Sequence, residues 1–169
     1  MLRNAQITDA EVYFNETGLV GVAATCDLPQ LEATQIDHET LGSVGVLQLP
    51  ARGLSALTGT LMLEYPEPEL LAWSYNPAIS ALIQLHEPLD VFDPDGIDRD
   101  RSTKLVTVMR CRAVNNEASQ GKKREKRTHS IPFTATSFVQ RIYTEAVPLV
   151  EIDLFRNVHK VNGQNVWPD

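Results

Sequence analysis

The chain has 169 residues and a formal net charge of -7. That length fits one domain with a core of its own, and the acidic balance argues against a general DNA-binding protein, which usually carries a basic stripe. Cys26 and Cys111 lie too far apart in sequence for a disulfide framework or a cysteine metal site, and they favour a reducing compartment. No apolar run reaches membrane-spanning length, and residues 1–14 lack the layout of a signal peptide. We therefore expect a protein that is made in a cytoplasm and kept there or released by lysis, without membrane contact.

The N-terminal region predicts a hairpin followed by a long excursion. Turn-forming residues 15–18 separate the strand AEVYF from the strand LVGVAAT. Residues 20–28 place alternate apolar side chains on one face, as a half-buried strand does. Residues 32–50 contain two glycines and spaced apolar residues but no clean core strand. An excursion of this length is usually functional or disordered, and its apolar content argues against a free one: Val44, Val46, Leu47 and Leu49.

The middle of the chain predicts a strand, a short helix and a second strand. Residues 57–65 alternate with period two, which is typical of a strand with one face in the core. The prolines and acids of 66–69, followed by LLAWSY and ended by Pro77, predict a helix. Residues 104–113 alternate less cleanly, with Arg110 and Arg112 on the same side.

The C-terminal region completes a mainly β pattern. Residues 130–143 are rich in β-branched and aromatic side chains, and 149–155 alternate apolar with acidic residues. Asp95-Gly96 and Asn162-Gly163 predict turns. We therefore predict a single domain over 1–169, built as an antiparallel barrel or sandwich of about seven or eight strands with one short flanking helix.

No pattern of residues predicts catalysis, a cofactor or a metal. The acidic stretch 93–100, DPDGIDRD, lacks the glycine and glutamate spacing of a calcium loop and is read as a hairpin turn. The four histidines are scattered, and no activated nucleophile is visible. Glu151 and Asp153 are explained by the polar face of a strand, and Trp73 and Trp167 by packing. We expect a binding or structural protein and not an enzyme.

Three stretches, taken together and in order, resemble one known family. They are Leu28-Pro29-Gln30-Leu31, Val108-Met109-Arg110-Cys111-Arg112 and LVEIDLFRNVHKVNGQNVW at 149–167, which includes Glu151-Ile152-Asp153 and Lys160-Val161-Asn162-Gly163. This order resembles the major tail tube proteins of contractile-tailed bacteriophages and R-type bacteriocins, over essentially the whole chain. The chain departs from that family pattern at Cys111, where glycine is expected, and in the loop 115–129, which is more basic.

The resemblance implies a structural virion protein without catalysis. It implies that six subunits form a ring, that rings stack into the inner tail tube, and that phage DNA passes through the lumen into the host without specific binding. It implies as partners the tail sheath, a tape-measure protein, the baseplate hub and the tail terminator, with assembly in the host cytoplasm. The excursion 32–50 becomes an inter-ring element, with these self-assembly residues: Leu28, Pro29, Leu31, Val44, Val46 and Leu47.

The run 121–129, GKKREKRTH, is the one strongly basic stretch. In the lumen, six copies would place about thirty positive charges around passing DNA and would hold it, because each neutralised phosphate strengthens binding. We therefore expect the run outside the lumen. It is either a solubilising loop or a docking patch for an acidic sheath surface, carried by these residues: Lys122, Lys123, Arg124, Lys126 and Arg127.

Other functions fit parts of the same pattern. A bacteriocin tube or a contractile injection system would use the same ring without a phage genome. From another class, a monomeric nucleic-acid-binding β-domain would use 121–129 as its grip. Base stacking would then call for aromatic side chains interleaved with the basic ones, and the run has none.

Overall fold

The architecture is known from a computed structural model that describes residues 4–19, 22–115 and 122–169. The described residues form fourteen strands and one helix. In chain order these are β1 Asn4–Gln6, β2 Glu11–Phe14, β3 Thr17–Gly18, β4 Ala23–Asp27, β5 Ala33–His38, β6 Leu47–Leu54, β7 Leu57–Leu63, α1 Pro68–Ser74, β8 Ala81–Asp93, β9 Gly96–Ile97, β10 Thr103–Ala113, β11 His129–Ile142, β12 Val150–Asp153, β13 Val158–Val161 and β14 Gln164–Asn165.

Three long antiparallel strands form the centre of the main sheet. β10 pairs with β8 on one side and with β11 on the other. Beyond β8 lie β2 and β3, and beyond β11 lie β12, β13 and β14. Each of these pairings is antiparallel, as the hairpin turns and period-two patterns predict.

The sheet divides at β11 because this strand has two partners on the same edge. Its first half pairs with β7 and its second half with β12. β7 then carries β4, which comes close to β2 on the far side of the core. Between β2 and β4 lies a groove of about 310 Å³. The sheets do not close into a barrel within the described residues, so the mainly antiparallel β prediction with one short helix is confirmed and its closed-barrel form is not.

The core lies between the inner face of the main sheet and the β4–β7 ribbon. Its side chains alternate along each strand, which is why period two was the dominant sequence pattern. The buried apolar residues on the strands of this core include Leu57, Leu61, Leu63, Ile83, Met109, Ile131, Phe133 and Ile152.

The helix α1 covers one end of this core. Pro68 opens it, where a missing backbone N–H costs nothing, and Trp73 packs edge-on against Phe14 with ring centroids 5.3 Å apart. The indole Nε1 donates a hydrogen bond to the backbone oxygen of Ile79 at 3.1 Å. The helix and the packing role of Trp73 are thus confirmed.

Two local predictions differ from the structure. The first hairpin is shorter than predicted: Asn15 and Glu16 form its turn with φ values of 45° and 71°, but pairing stops at Gly18 and the chain crosses to β7 as β4. The long strand β8 was not predicted, because Pro88 interrupts its pattern.

Gly59 holds β7 close to two neighbours. A Cβ added there would lie against the backbone oxygen of Asp27 and 2.6 Å from Cζ of Phe133, which is fully buried. We expect Gly59→Ala to lower the free energy of unfolding by about 1–3 kcal/mol, because the core must shift to admit the methyl group. Urea unfolding measures this. Gly45→Ala is the control, since a Cβ at Gly45 meets nothing within 4 Å, and equal midpoints for the two variants would contradict the account.

Candidate assembly surfaces

The excursion after β4 is an amphipathic two-stranded ribbon, β5 paired with β6. Ile36 lies opposite Leu49 and His38 opposite Leu47, so these four side chains share one face. The other face is polar, with Asp37 opposite Gln48. The eight residues of β6 make the ribbon about 25 Å long. We call the face formed by Ile36, His38, Leu47 and Leu49 the apolar ribbon face.

This apolar ribbon face is exposed in the single chain. Leu47 retains 58% and Leu49 46% of its accessible surface, and Leu41 and Val44 at the tip are fully exposed. At the ribbon base, the Arg52 guanidinium lies 6.0 Å from the ring centre of Trp167. An isolated two-stranded ribbon is marginally stable in water, so a ribbon with an exposed apolar face calls for a covering surface.

The predicted self-assembly residues divide into two groups. Leu31, Val44, Val46 and Leu47 are exposed on the ribbon or on the approach to it. Leu28 packs against the core and Pro29 is buried, so the structure places both inside the subunit. Three exposed apolar residues of the ribbon and its tip are not among the predicted self-assembly residues: Ile36, Leu41 and Leu49. Leu49 follows Leu47 by two residues, and this period-two spacing is the sequence signal for their shared face.

The predicted basic loop is described from residue 122 onward, and 116–121 lie outside the described residues. We call residues 122–127 the basic segment. All six are exposed. Lys126 forms an ion pair with Glu64, and Lys122 lies 3.6 Å from Glu125. Lys123 and Arg124 form no ion pair with any described residue, which leaves their charges available to another molecule.

His129 begins β11 directly after the basic segment. It is buried, and its Nε2 has no hydrogen-bond partner among the described residues. Burial lowers the pKa of His129 below its ordinary value of 6.5, and the positive charge of Arg127 lowers it further. The neutral imidazole is therefore the form that the fold favours.

The two cysteine thiols and the other described side chains that could take part in chemistry are unreactive in this structure. Cys26 and Cys111 are free thiols. Burial raises the pKa of Cys26 to about 12 and also raises that of Cys111, so neither supplies a thiolate nucleophile. The stretch 93–100 contains the predicted turn, which connects β8 to β9 at residues 94–95. Within the described ranges, no cluster of three or more metal-ligating side chains could hold an ion, and no helix is long and apolar enough to cross a membrane.

Comparison with known proteins agrees with a structural role. The family described as phage tail tube protein FII matches residues 4–169. The chain belongs to this family. It is a structural tail tube protein, as the sequence resemblance implied. A search of curated proteins finds no match for this tail tube protein.

Two solved structures share its fold. Both are cryo-EM structures of the extracellular contractile injection system PVC in the extended state. The chain from the sheath/tube terminator structure has a TM-score of 0.54 and 10% identity, over 78% of this chain and 92% of that one. The chain from the sheath–tube complex has a TM-score of 0.53 and 10% identity, over 79% and 88%. A contractile injection system tube is compatible with the same fold.

The neutral state of His129 makes stability depend on pH. Below about pH 6.5 the imidazole of His129 takes up a proton in the unfolded chain more readily than in the folded chain, where its pKa is lowered. The free energy of unfolding should therefore fall as pH decreases from that value. We expect a shallower fall in His129→Gln, measured by urea unfolding at about pH 7.5 and about pH 5.5.

The matched control for this pH dependence is His38→Gln, on the exposed ribbon. His86, whose pKa burial also lowers, is present in both variants and cancels in the comparison. If His129→Gln and His38→Gln lose stability equally between the two pH values, burial of neutral His129 does not contribute to the pH dependence.

Proposed function

We propose that this chain is a single tail tube domain that forms homohexameric rings, and that the rings stack through the β5–β6 ribbon into the inner tube of a contractile tail. The uncovered apolar ribbon face carries this proposal. Burying a large apolar side chain contributes about 1.5–3 kcal/mol, and a second copy of the chain is the partner that a self-assembling family supplies. Ring closure with neighbours also removes exposed sheet edges, which otherwise invite uncontrolled pairing.

The stacked tube in this proposal conducts the phage genome from the virion tail into the host, without specific DNA binding and without catalysis or a cofactor. Its partners are itself, the tail sheath, a tape-measure protein, the baseplate hub and the tail terminator. Assembly takes place in the host cytoplasm. The sheath and terminator are supported by the shared fold with chains from a sheath–tube complex and a terminator structure. A bacteriocin tube remains compatible, since it uses the same ring.

The basic segment lies on the outside of the tube in this proposal and faces the sheath. The free charges of Lys123 and Arg124 suit a weak electrostatic contact, which aligns two surfaces more than it holds them together. Such contacts let a sheath move over the tube during contraction. An exposed ion pair of the Lys122–Glu125 kind contributes little, so it offers little resistance to exchange with an acidic partner.

The two faces of the ribbon give a matched test of stacking. We expect Leu47→Ser combined with Leu49→Ser to raise the concentration needed for tube formation by at least about tenfold, because the lost burial weakens every ring contact. Unfolding of the monomer should be nearly unchanged, since both side chains are exposed there. Pelleting and negative-stain electron microscopy measure assembly, and circular dichroism measures unfolding.

The control alters the opposite face of the same ribbon, with Asp37→Ser combined with Gln48→Ser. We expect this variant to form tubes near the wild-type concentration. Normal tubes from the leucine variant would show that the apolar ribbon face does not stack the rings.

Sheath contact is tested on preformed tubes, each assembled at the protein concentration that its variant needs. Reversing the charges of Lys122, Lys123, Arg124, Lys126 and Arg127 should impair sheath assembly around tubes, because the acidic sheath surface would then meet like charge. Cosedimentation of sheath with tubes measures this. Unchanged sheath binding by the reversed variant would show that the basic segment does not face the sheath.

A further inference from the structure

Two oppositely charged loops lie at opposite ends of the same strands. The stretch 93–100, which contains the β8–β9 turn, lies at the end of β8 at which Thr103 pairs with Leu89. The basic segment belongs to the β10–β11 connection, which leaves the sheet where Ala113 pairs with Phe133. β10 has eleven residues between these ends, so the loops are separated by about 35 Å.

The loops carry charges of opposite sign. The turn 93–100 holds four aspartates and Arg99, a formal charge of -3, and we call it the acidic turn. The basic segment holds five cations and Glu125, a formal charge of +4. Inside the acidic turn, Asp93 and Asp98 accept hydrogen bonds from backbone N–H groups and shape the loop. Asp95 and Asp100 are exposed, and their carboxylates have no partner among the described residues.

We propose that the acidic turn of one subunit pairs with the basic segment of a second copy in the next ring, which makes ring stacking head-to-tail. This inference rests on the proposed stacked tube. A molecule with unlike charges at its two ends attracts copies of itself in one orientation and repels them in the other. Contacts between two different surfaces of identical subunits extend into a filament when the rotation between copies does not close them into a ring.

The ribbon leaves the sheet between the two charged loops. Leu57 pairs with Ala135, near the middle of β11, and β6 ends at Leu54, three residues before Leu57. Arg52 and Leu54 line the same cavity as Ile152 of β12. The apolar ribbon face and the charge pair are therefore separate surfaces of the subunit. In this proposal apolar burial contributes affinity between rings, and the charges determine orientation.

The experiment uses two complementary charge reversals of the full chain. The first variant, Asp95→Lys with Asp100→Lys, changes the acidic turn from -3 to +1. The second, Lys122→Glu with Lys123→Glu and Arg124→Glu, changes the basic segment from +4 to -2. All five side chains are exposed, and circular dichroism verifies folding. Each variant alone then brings like charges together at every ring contact, whereas alternating rings of the two variants bring unlike charges together.

We expect each variant alone to need at least about tenfold more protein than wild type to form tubes, and an equal mixture to form them near the wild-type concentration. Added salt should weaken wild-type stacking, because it screens these exposed charges. Negative-stain electron microscopy counts tubes and single rings. The inference is overturned if either variant alone stacks like wild type, if the mixture does not recover, or if reversal affects only sheath binding. Absence of rings in wild type itself would instead count against the proposed function.

Discussion

The apolar face of the amphipathic β5–β6 ribbon carries a free-energy cost while it is exposed to water. The described part of the single chain has no surface that covers this face. Ile36, Leu47 and Leu49 line one face of the β5–β6 ribbon and remain exposed. The core of the main sheet is covered by β7, β4 and α1, and Leu54 at the end of β6 also packs against it. In our proposal the ribbon therefore serves the assembly more than the subunit. Membership of the tail tube family supports a tail tube as that assembly.

Polarity is the second requirement of a tube, because an apolar face alone does not give direction. A hydrophobic contact is non-directional, whereas charge separated along a strand is directional. The acidic turn and the basic segment lie at opposite ends of β10. In our account the apolar ribbon face and this charge pair act together, the first for affinity and the second for orientation. In the proposed tube the basic segment lies at the outer rim of this ring contact, where it also faces the sheath.

Much of this fold could be predicted from the sequence because its core strands alternate with period two. The strands at 57–63 and 129–142, the helix at 68–74 and the turns at 95–96 and 162–163 all followed from local patterns. The path of β4 did not, because pairing with β7 in place of β2 is a long-range choice that no local signal encodes. The strand β8 was not predicted because it contains Pro88, and proline normally occurs in edge strands or at the ends of strands. Leu28 and Pro29, which precede the ribbon, were included with the self-assembly residues through the family resemblance. Sequence does not show which side chains of such a motif fold back onto the core.

The most direct measurement is a cryo-EM reconstruction of tubes assembled from the purified chain. The account predicts six subunits per ring, with Leu47 and Leu49 of each ribbon buried against a subunit of the next ring. Rings that stack while these ribbons remain in solvent, or an assembly without rings, would contradict it.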